Sequence, residues 1–217
     1  MKLEVPHFKN INNYSCLVTS VAMVLRYFGT SINQKEVFEK AKVKHPKDKE
    51  REFGCTIPNV MLSIKDKGYK MLSWHYRDLD LINKSGKEME TFFKIWWKKI
   101  KEAEKLGILK NREYGDFTLI KKYLKKGFPV IVGLKSKTFY QGNPEWEKRM
   151  FNRKWPEETN HVIVVTGYEN GKYIYNDSSP FLSKKEAKDA KVPESRLKKA
   201  WKDANHVKEG IFVLKPM

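Results

Sequence analysis

Cysteine is scarce in this chain of 217 residues: there are two, Cys16 and Cys55. Two thiols make no disulfide framework, although the sequence leaves a single Cys16–Cys55 bridge open, so stability has to come from a packed core. Long apolar runs are also missing. None approaches the roughly 20 residues of a membrane span, and Met1-Lys2-Leu3-Glu4-Val5-Pro6 lacks the apolar stretch of a signal peptide. A cytoplasmic protein without a membrane partner is expected. Internal repeats and low-complexity tracts are absent, and no pattern calls for a cofactor or a metal. Acidic residues are few beside basic ones, 26 against 44, which gives a formal charge of +18 and a pI near 9.7. Such a charge invites a nucleic-acid reading. Against it, the lysines are spread along nearly every segment, often beside glutamates as in Lys35-Glu36, and no RNA- or DNA-binding signature accompanies them. A solvated lysine-rich surface, or an anionic partner or substrate, is the plainer account. The sequence is silent on oligomeric state.

What is present is enough for one folded domain: 40% hydrophobic and 13% aromatic residues. The chain is organised around residues 10–29. The polar, turn-forming run Asn10-Ile11-Asn12-Asn13-Tyr14-Ser15 delivers Cys16 to the head of an apolar helix that Gly29 closes. Leu17, Val18, Val21, Ala22, Val24, Leu25 and Phe28 cover more than half of the helical wheel, so this helix should be central and buried. A thiol in its first turn faces unpaired N–H groups and the positive end of the helix dipole, which favour the thiolate. The plain alternative is a small, inert, buried cysteine.

The rest of the chain reads as support. Residues 34–43 form a helix with Ser31 or Asn33 as N-cap and Val37, Phe38 and Ala41 inward. His45-Pro46 starts a charged loop that runs to Arg51, a helix capped by Thr56 ends at Gly68, and residues 69–76 form a strand. The longest helix signal spans residues 87–106, with Phe93, Trp96, Trp97, Ile100 and Ala103 assigned to the core. A short helix capped by Gly127 leads into a strand at residues 129–134. Residues 135–159 mix Phe139, Tyr140, Trp146, Phe151 and Trp155 with basic residues and prolines. They read as an inserted loop or lid within the single domain of residues 1–217, with Trp146 or Trp155 partly exposed beside the cleft. Val162-Ile163-Val164-Val165 is a central strand that turns at Asn170-Gly171 into residues 172–177. Pro193 opens a last helix and residues 210–214 a closing strand. Helices first and a sheet afterwards make an α+β fold.

A nucleophilic cysteine needs a base, and the base needs an acceptor that fixes its tautomer. His161 stands at the mouth of a buried strand, whereas His7, His45, His75 and His206 lie in polar, alternating or charged surroundings. The partner strand ends in Asp177, and the spacing from Cys16 to His161 falls within the roughly 130–150 residues of papain-type enzymes. A structural, hydrogen-bonded His161 is the alternative. Val5-Pro6, Cys16 with residues 19–29, His161 with residues 162–168, Asn176-Asp177 and Lys199-Ala200-Trp201 together resemble the papain-fold cysteine peptidases of the bacteriocin-processing type, over the length of the chain. The resemblance implies Cys16 as nucleophile, His161 as base, Asp177 as orienting acid, a peptide or acyl-group substrate and a papain-like fold. The family places glycine after the cysteine, where this chain has Leu17. It also places an oxyanion-binding glutamine six residues before the cysteine, where Asn10 stands. A thiol hydrolase, an acyl or peptidyl transferase of the same chemistry, an inactive papain-fold binding module and a basic nucleic-acid binder are the competing functions.

The hairpin carries a geometric condition. With a two-residue turn at Asn170-Gly171 and unbroken pairing, Asp177 lies opposite Val164, on the wrong face for His161. One extra residue in the first strand moves Asp177 opposite Ile163 and onto the His161 face. A bulge or an equivalent widened turn between Thr166 and Gly171 is therefore expected, with Gly167 as the natural place for a bulge.

Overall fold

The computed structural model describes residues 1–44, 52–75, 87–112, 115–151, 160–204 and 210–217. The charged loop from His45 to Arg51, Trp155 and His206 lie outside them. In chain order the elements are α1 (Cys16–Tyr27), α2 (Gln34–Ala41), β1 (Lys42–Lys44), β2 (Glu52–Cys55), α3 (Ile57–Ser63), β3 (Tyr69–His75), α4 (Lys87–Lys105), β4 (Leu109–Arg112) and α5 (Thr118–Leu124). They continue with β5 (Val130–Lys135), α6 (Ser136–Tyr140), α7 (Pro144–Phe151), β6 (Asn160–Glu169), β7 (Lys172–Asn176), α8 (Lys184–Ala187), β8 (Ala190–Pro193), α9 (Glu194–Asp203) and β9 (Gly210–Pro216).

Among the described residues one seven-stranded sheet runs β4-β3-β9-β5-β6-β7-β8, antiparallel except where β3 meets β4, and β1 pairs with β2 separately. The architecture is α+β. Strand alternation splits the apolar residues between two cores. Val162 and Val164 face α1–α4 along with Ile131, Phe212 and Leu214. Ile163 and Val165 face the opposite side, where Val132, Val213 and residues of α5, α6 and α9 pack. Helix α1 lies against β6, and Leu17 through Leu25 are all buried. Each buried Val or Leu there contributes about 1.5–3 kcal/mol. The helix ends where Gly29 takes φ +84° and donates to Arg26 O.

Three expectations need correction. Trp96 is buried, but Trp97 is 40% exposed, with the Lys101 ammonium 4.9 Å from its ring centre. Neighbouring residues stand about 100° apart on a helix, so one narrow seam takes only one of them. Residues 136–140 and 144–151 are helical, and they bury Phe139, Tyr140 and Trp146; of the two tryptophans either of which was expected partly exposed, Trp146 is covered and Trp155 lies outside the described residues. Helix α6 follows β5 directly and lays Phe139 edge-on against Tyr175 at 5.2 Å. The short elements β1, β2, β4, α8 and β8 were invisible to periodicity because three or four residues hold too few repeats of either pattern, and the helix expected to run to Val43 gives way to β1 at Lys42. The remaining strands and helices fall within a few residues of expectation, Asn33 capping α2 through the Glu36 N–H.

The hairpin meets its condition one residue early. Glu169 pairs with Lys172, Tyr168 with Tyr173 and Gly167 with Ile174, after which Val165 pairs with Tyr175 and Val164 with Asn176. Thr166 is the extra residue, not Gly167. Both turn residues adopt positive φ, Asn170 at 47° and Gly171 at 75°. Glycine is required at 167 for another reason: a Cβ there would stand 2.6 Å from Met1 O and 2.9 Å from Lys2 Cα. The N-terminal segment runs along this part of β6, Leu3 N donating to Thr166 O and Tyr168 N to Met1 O.

Many surface lysines sit in exposed pairs one helical turn apart, such as Lys40 with Glu36 and Lys99 with Glu102. Such pairs contribute about 0–1 kcal/mol each and mark a solvated surface. Cys16 and Cys55 are not joined, so the bridge left open by the sequence is not formed. No helix among the described residues is long and apolar enough to cross a membrane.

Candidate active site

Cys16 is the first residue of α1, and the turn that presents it is tied by the buried Ser15. The Ser15 hydroxyl accepts from the N–H of Ile11 at 3.1 Å and of Asn12 at 3.3 Å, and donates to Asn12 O. It closes this loop without capping α1. The first-turn N–H groups are thereby left to the thiol. Cys16 Sγ is hydrogen-bonded by the N–H groups of Leu17 and Val162 and by the His161 ring. Leu17 packs into the first core at 6% exposure, so the bulk that replaces glycine does not line the cleft.

His161 sits near the start of β6, paired with Leu134 of β5. Its Nε2 is 2.8 Å from Asp177 Oδ1, which leaves Nδ1 for Cys16. Asp177 follows β7 directly and is fully buried. Oδ1 also accepts from the Ser179 N–H at 2.7 Å, and Oδ2 accepts from the Tyr140 hydroxyl. The Asp177 backbone is held as well, its N–H donating to Ala187 O and its carbonyl accepting from His7 Nε2, both at 2.7 Å. The neighbouring Asn176 is committed elsewhere, its amide donating to Val5 O and accepting from the Asp189 N–H.

Charge follows from this geometry. Burial raises the Asp177 carboxyl, but the facing His161 charge and the donors from His161, Tyr140 and Ser179 outweigh it and hold the group below its ordinary value. Burial lowers His161, yet the Asp177 charge and hydrogen bond, with help from Cys16, push it up to about 10. Burial raises the Cys16 thiol, and the His161 hydrogen bond and charge together with two backbone N–H groups bring it below the ordinary thiol value. Compared with the neutral pair, both shifts favour a thiolate beside an imidazolium. That pair can attack a carbonyl and hand a proton to a leaving group.

A cleft of about 40 Å³ opens on the thiol, bordered by Asn10, Tyr140, Trp146 and His161. Asn10 is anchored by its N–H to Ser178 O at 2.8 Å, and its side-chain oxygen is buried without a partner. That oxygen can only accept, so the part of the amide that can serve a developing oxyanion is its NH2 group. All four residues singled out in the sequence, Cys16, His161, Asp177 and Asn10, thus stand within one site. Sequence reasoning missed His7 and Tyr140, which bond to Asp177 from 170 and 37 residues away. No local pattern marks either one.

The family described as Peptidase_C39 like matches residues 2–209. Among solved structures, a double glycine motif protease from an AMS/PCAT transporter, in complex with its leader peptide, superposes with a TM-score of 0.50 at 17% identity, covering 100% of this chain and 94% of that one. A C39-like peptidase from Bacillus anthracis gives 0.57 at 17% identity, covering 99% and 98%. The peptidase domain of Streptococcus ComA, a bifunctional ABC transporter of a quorum-sensing pathway, gives 0.51 at 15% identity, covering 99% and 100%. At such identities these likenesses speak for the papain-like fold alone. A comparison with curated proteins gives no match.

Proposed function

Since this chain belongs to the Peptidase_C39 like family, we propose that it is a cysteine peptidase cleaving a peptide bond through Cys16, His161 and Asp177. In this reading the Cys16 thiolate adds to the scissile carbonyl carbon. The carbonyl oxygen, now negative, accepts hydrogen bonds from the Asn10 amide and the Cys16 N–H. Collapse breaks the C–N bond as His161 Nδ1 gives its proton to the departing amine, leaving a thioester. A water molecule then loses a proton to His161 and attacks the thioester, which releases the acid and restores the thiolate. Asp177 holds the ring and balances its charge throughout, without taking the proton.

The single observation behind this reading is the hydrogen-bonded chain from Cys16 through His161 to a fully buried Asp177 at the floor of a cleft. The cleft has little room beside the thiol, which favours small residues next to the scissile bond. A peptide with a double-glycine sequence, as handled by the first structural relative, fits that description. Helices α6 and α7 act as the wall over this end of the cleft, and two cysteines that form no disulfide suit the reducing cytoplasm.

The test is cleavage of double-glycine peptides, read by mass spectrometry, with the unsubstituted protein, Cys16→Ala and His161→Ala. Cleavage that depends on both residues is expected. Cleavage that survives Cys16→Ala would overturn the mechanism, and so would Cys16 reacting with iodoacetamide no faster at neutral pH than an ordinary thiol.

A further inference from the structure

We propose that Tyr140 is a positioning residue for the nucleophile: by donating its hydroxyl proton to Asp177 Oδ2 from α6, it locks the rotation of the carboxylate that sustains the Cys16–His161 pair. The inference rests on the reading of Cys16, His161 and Asp177 given above. A carboxylate turns easily about its last bond, whose torsional wells are broad. Asp177 needs Oδ1 aimed at His161 Nε2, 2.8 Å away. The Ser179 N–H grips that same Oδ1 at 2.7 Å, so on its own it leaves Oδ2 unheld. The hydroxyl of Tyr140 takes the second oxygen. Asp177 is fully buried and Tyr140 is 5% exposed, so no water stands in readily if the hydroxyl is removed, and a carboxylate oxygen would be left bare.

The tyrosine is itself held. Its ring stacks on Trp146 at 4.9 Å and 23°, meets Phe139 edge-on at 5.0 Å and lies 6.2 Å from the His161 ring. Burial and the adjoining Asp177 charge push the phenol well above its ordinary range, so it remains a proton donor. Helix α6 thus reaches past the cleft wall to the far side of the imidazole. Segment 136–151, whose Tyr140 and Trp146 border the cleft, also supports the chemistry from behind.

The experiment follows Cys16 alkylation by iodoacetamide against pH, identified by peptide mapping so that Cys55 is scored separately. No peptide substrate is required. In the unsubstituted protein the midpoint should lie below that of a free thiol, and His161→Ala should raise it. Tyr140→Phe, which keeps the ring and its stacking, should raise the midpoint by about one pH unit, the size expected when one hydrogen bond to a charged group is lost. Phe139→Leu, which alters packing beside the same tyrosine, should leave it within a few tenths of a unit. An unshifted midpoint in Tyr140→Phe, with His161→Ala still raising it, overturns the role of Tyr140 alone. A midpoint insensitive to His161→Ala overturns the proposed function together with this inference. Should Tyr140→Phe fail to fold, the Tyr140 hydroxyl proton of the unsubstituted protein is read by NMR. A slowly exchanging, downfield proton supports the bond, and rapid exchange with water overturns it.

Discussion

Replacing Asp177 with Asn in a Cys16→Ala background isolates what the buried carboxylate does for His161. In the intact site, above the ordinary histidine value of 6.5 and between the lowered folded value of the thiol and its ordinary value of 9.0, Cys16 is a thiolate and His161 keeps its proton. Folded and unfolded chains then bind equal numbers of protons at this pair, and it adds little pH dependence to stability. Removing the thiol uncovers the histidine. Its folded pKa stays above 6.5 because Asp177 provides the main elevation. The associated stability is fully present below pH 6.5 and lost as pH rises through the folded value, which lies somewhat under the about 10 of the intact site. The climb from 6.5 to about 10 in the intact site corresponds to on the order of 5 kcal/mol, a ceiling because Cys16 supplies part of the rise. Adding Asp177→Asn should reverse the sign. A buried His161 without its counter-charge titrates below 6.5, so stability now falls as pH drops through 6.5. Urea unfolding at several pH values between 5 and 10, with NMR titration of the His161 ring, measures both effects, and comparing the two variants cancels other titrating groups. Equal pH slopes in the two variants, or His161 titrating near 6.5 in Cys16→Ala alone, would refute the electrostatic account of the site.

Two more expectations follow from the geometry. Asn10→Ala should lower kcat on a cleaved peptide about 10²- to 10³-fold with little change in Cys16 alkylation, because the amide acts on the developing oxyanion and not on the thiol; unchanged kcat would leave that role to Asn13, the next amide on the cleft rim. Gly167→Ala should destabilise the fold by about 1–3 kcal/mol, since its Cβ meets Met1 O and Lys2 Cα with no room to shift. Urea midpoints check it, and a neutral result would mean that the N-terminal segment lifts off β6 easily.

The elements of this protein that repeat over many residues were legible in its sequence. Helix α1 announces itself by an apolar run covering more than half of the helical wheel, with Cys16 at its head and Gly29 at its end, and its nine buried positions admit only the small polar residues Thr19 and Ser20. The Asn170-Gly171 turn and the need for one extra residue in β6 followed from strand parity, which is a counting argument. Where that residue falls was decided by tertiary contact. Gly167 is reserved for the backbone of residues 1–2, and the bulge moves to Thr166. Only the assembled chain could show that Trp96 and not Trp97 enters the core, or that Trp146 is covered, since both depend on what packs opposite. The same holds for the support around Asp177. His7 and Tyr140 reach it from 170 and 37 residues earlier in the chain, by hydrogen bonds whose partners share neither a helix nor a strand. Local sequence carries information on periodicity and turn chemistry over a few residues. A buried carboxylate is stabilised by whichever donors the whole fold brings within about 3 Å, and that assembly exists only once both cores have closed.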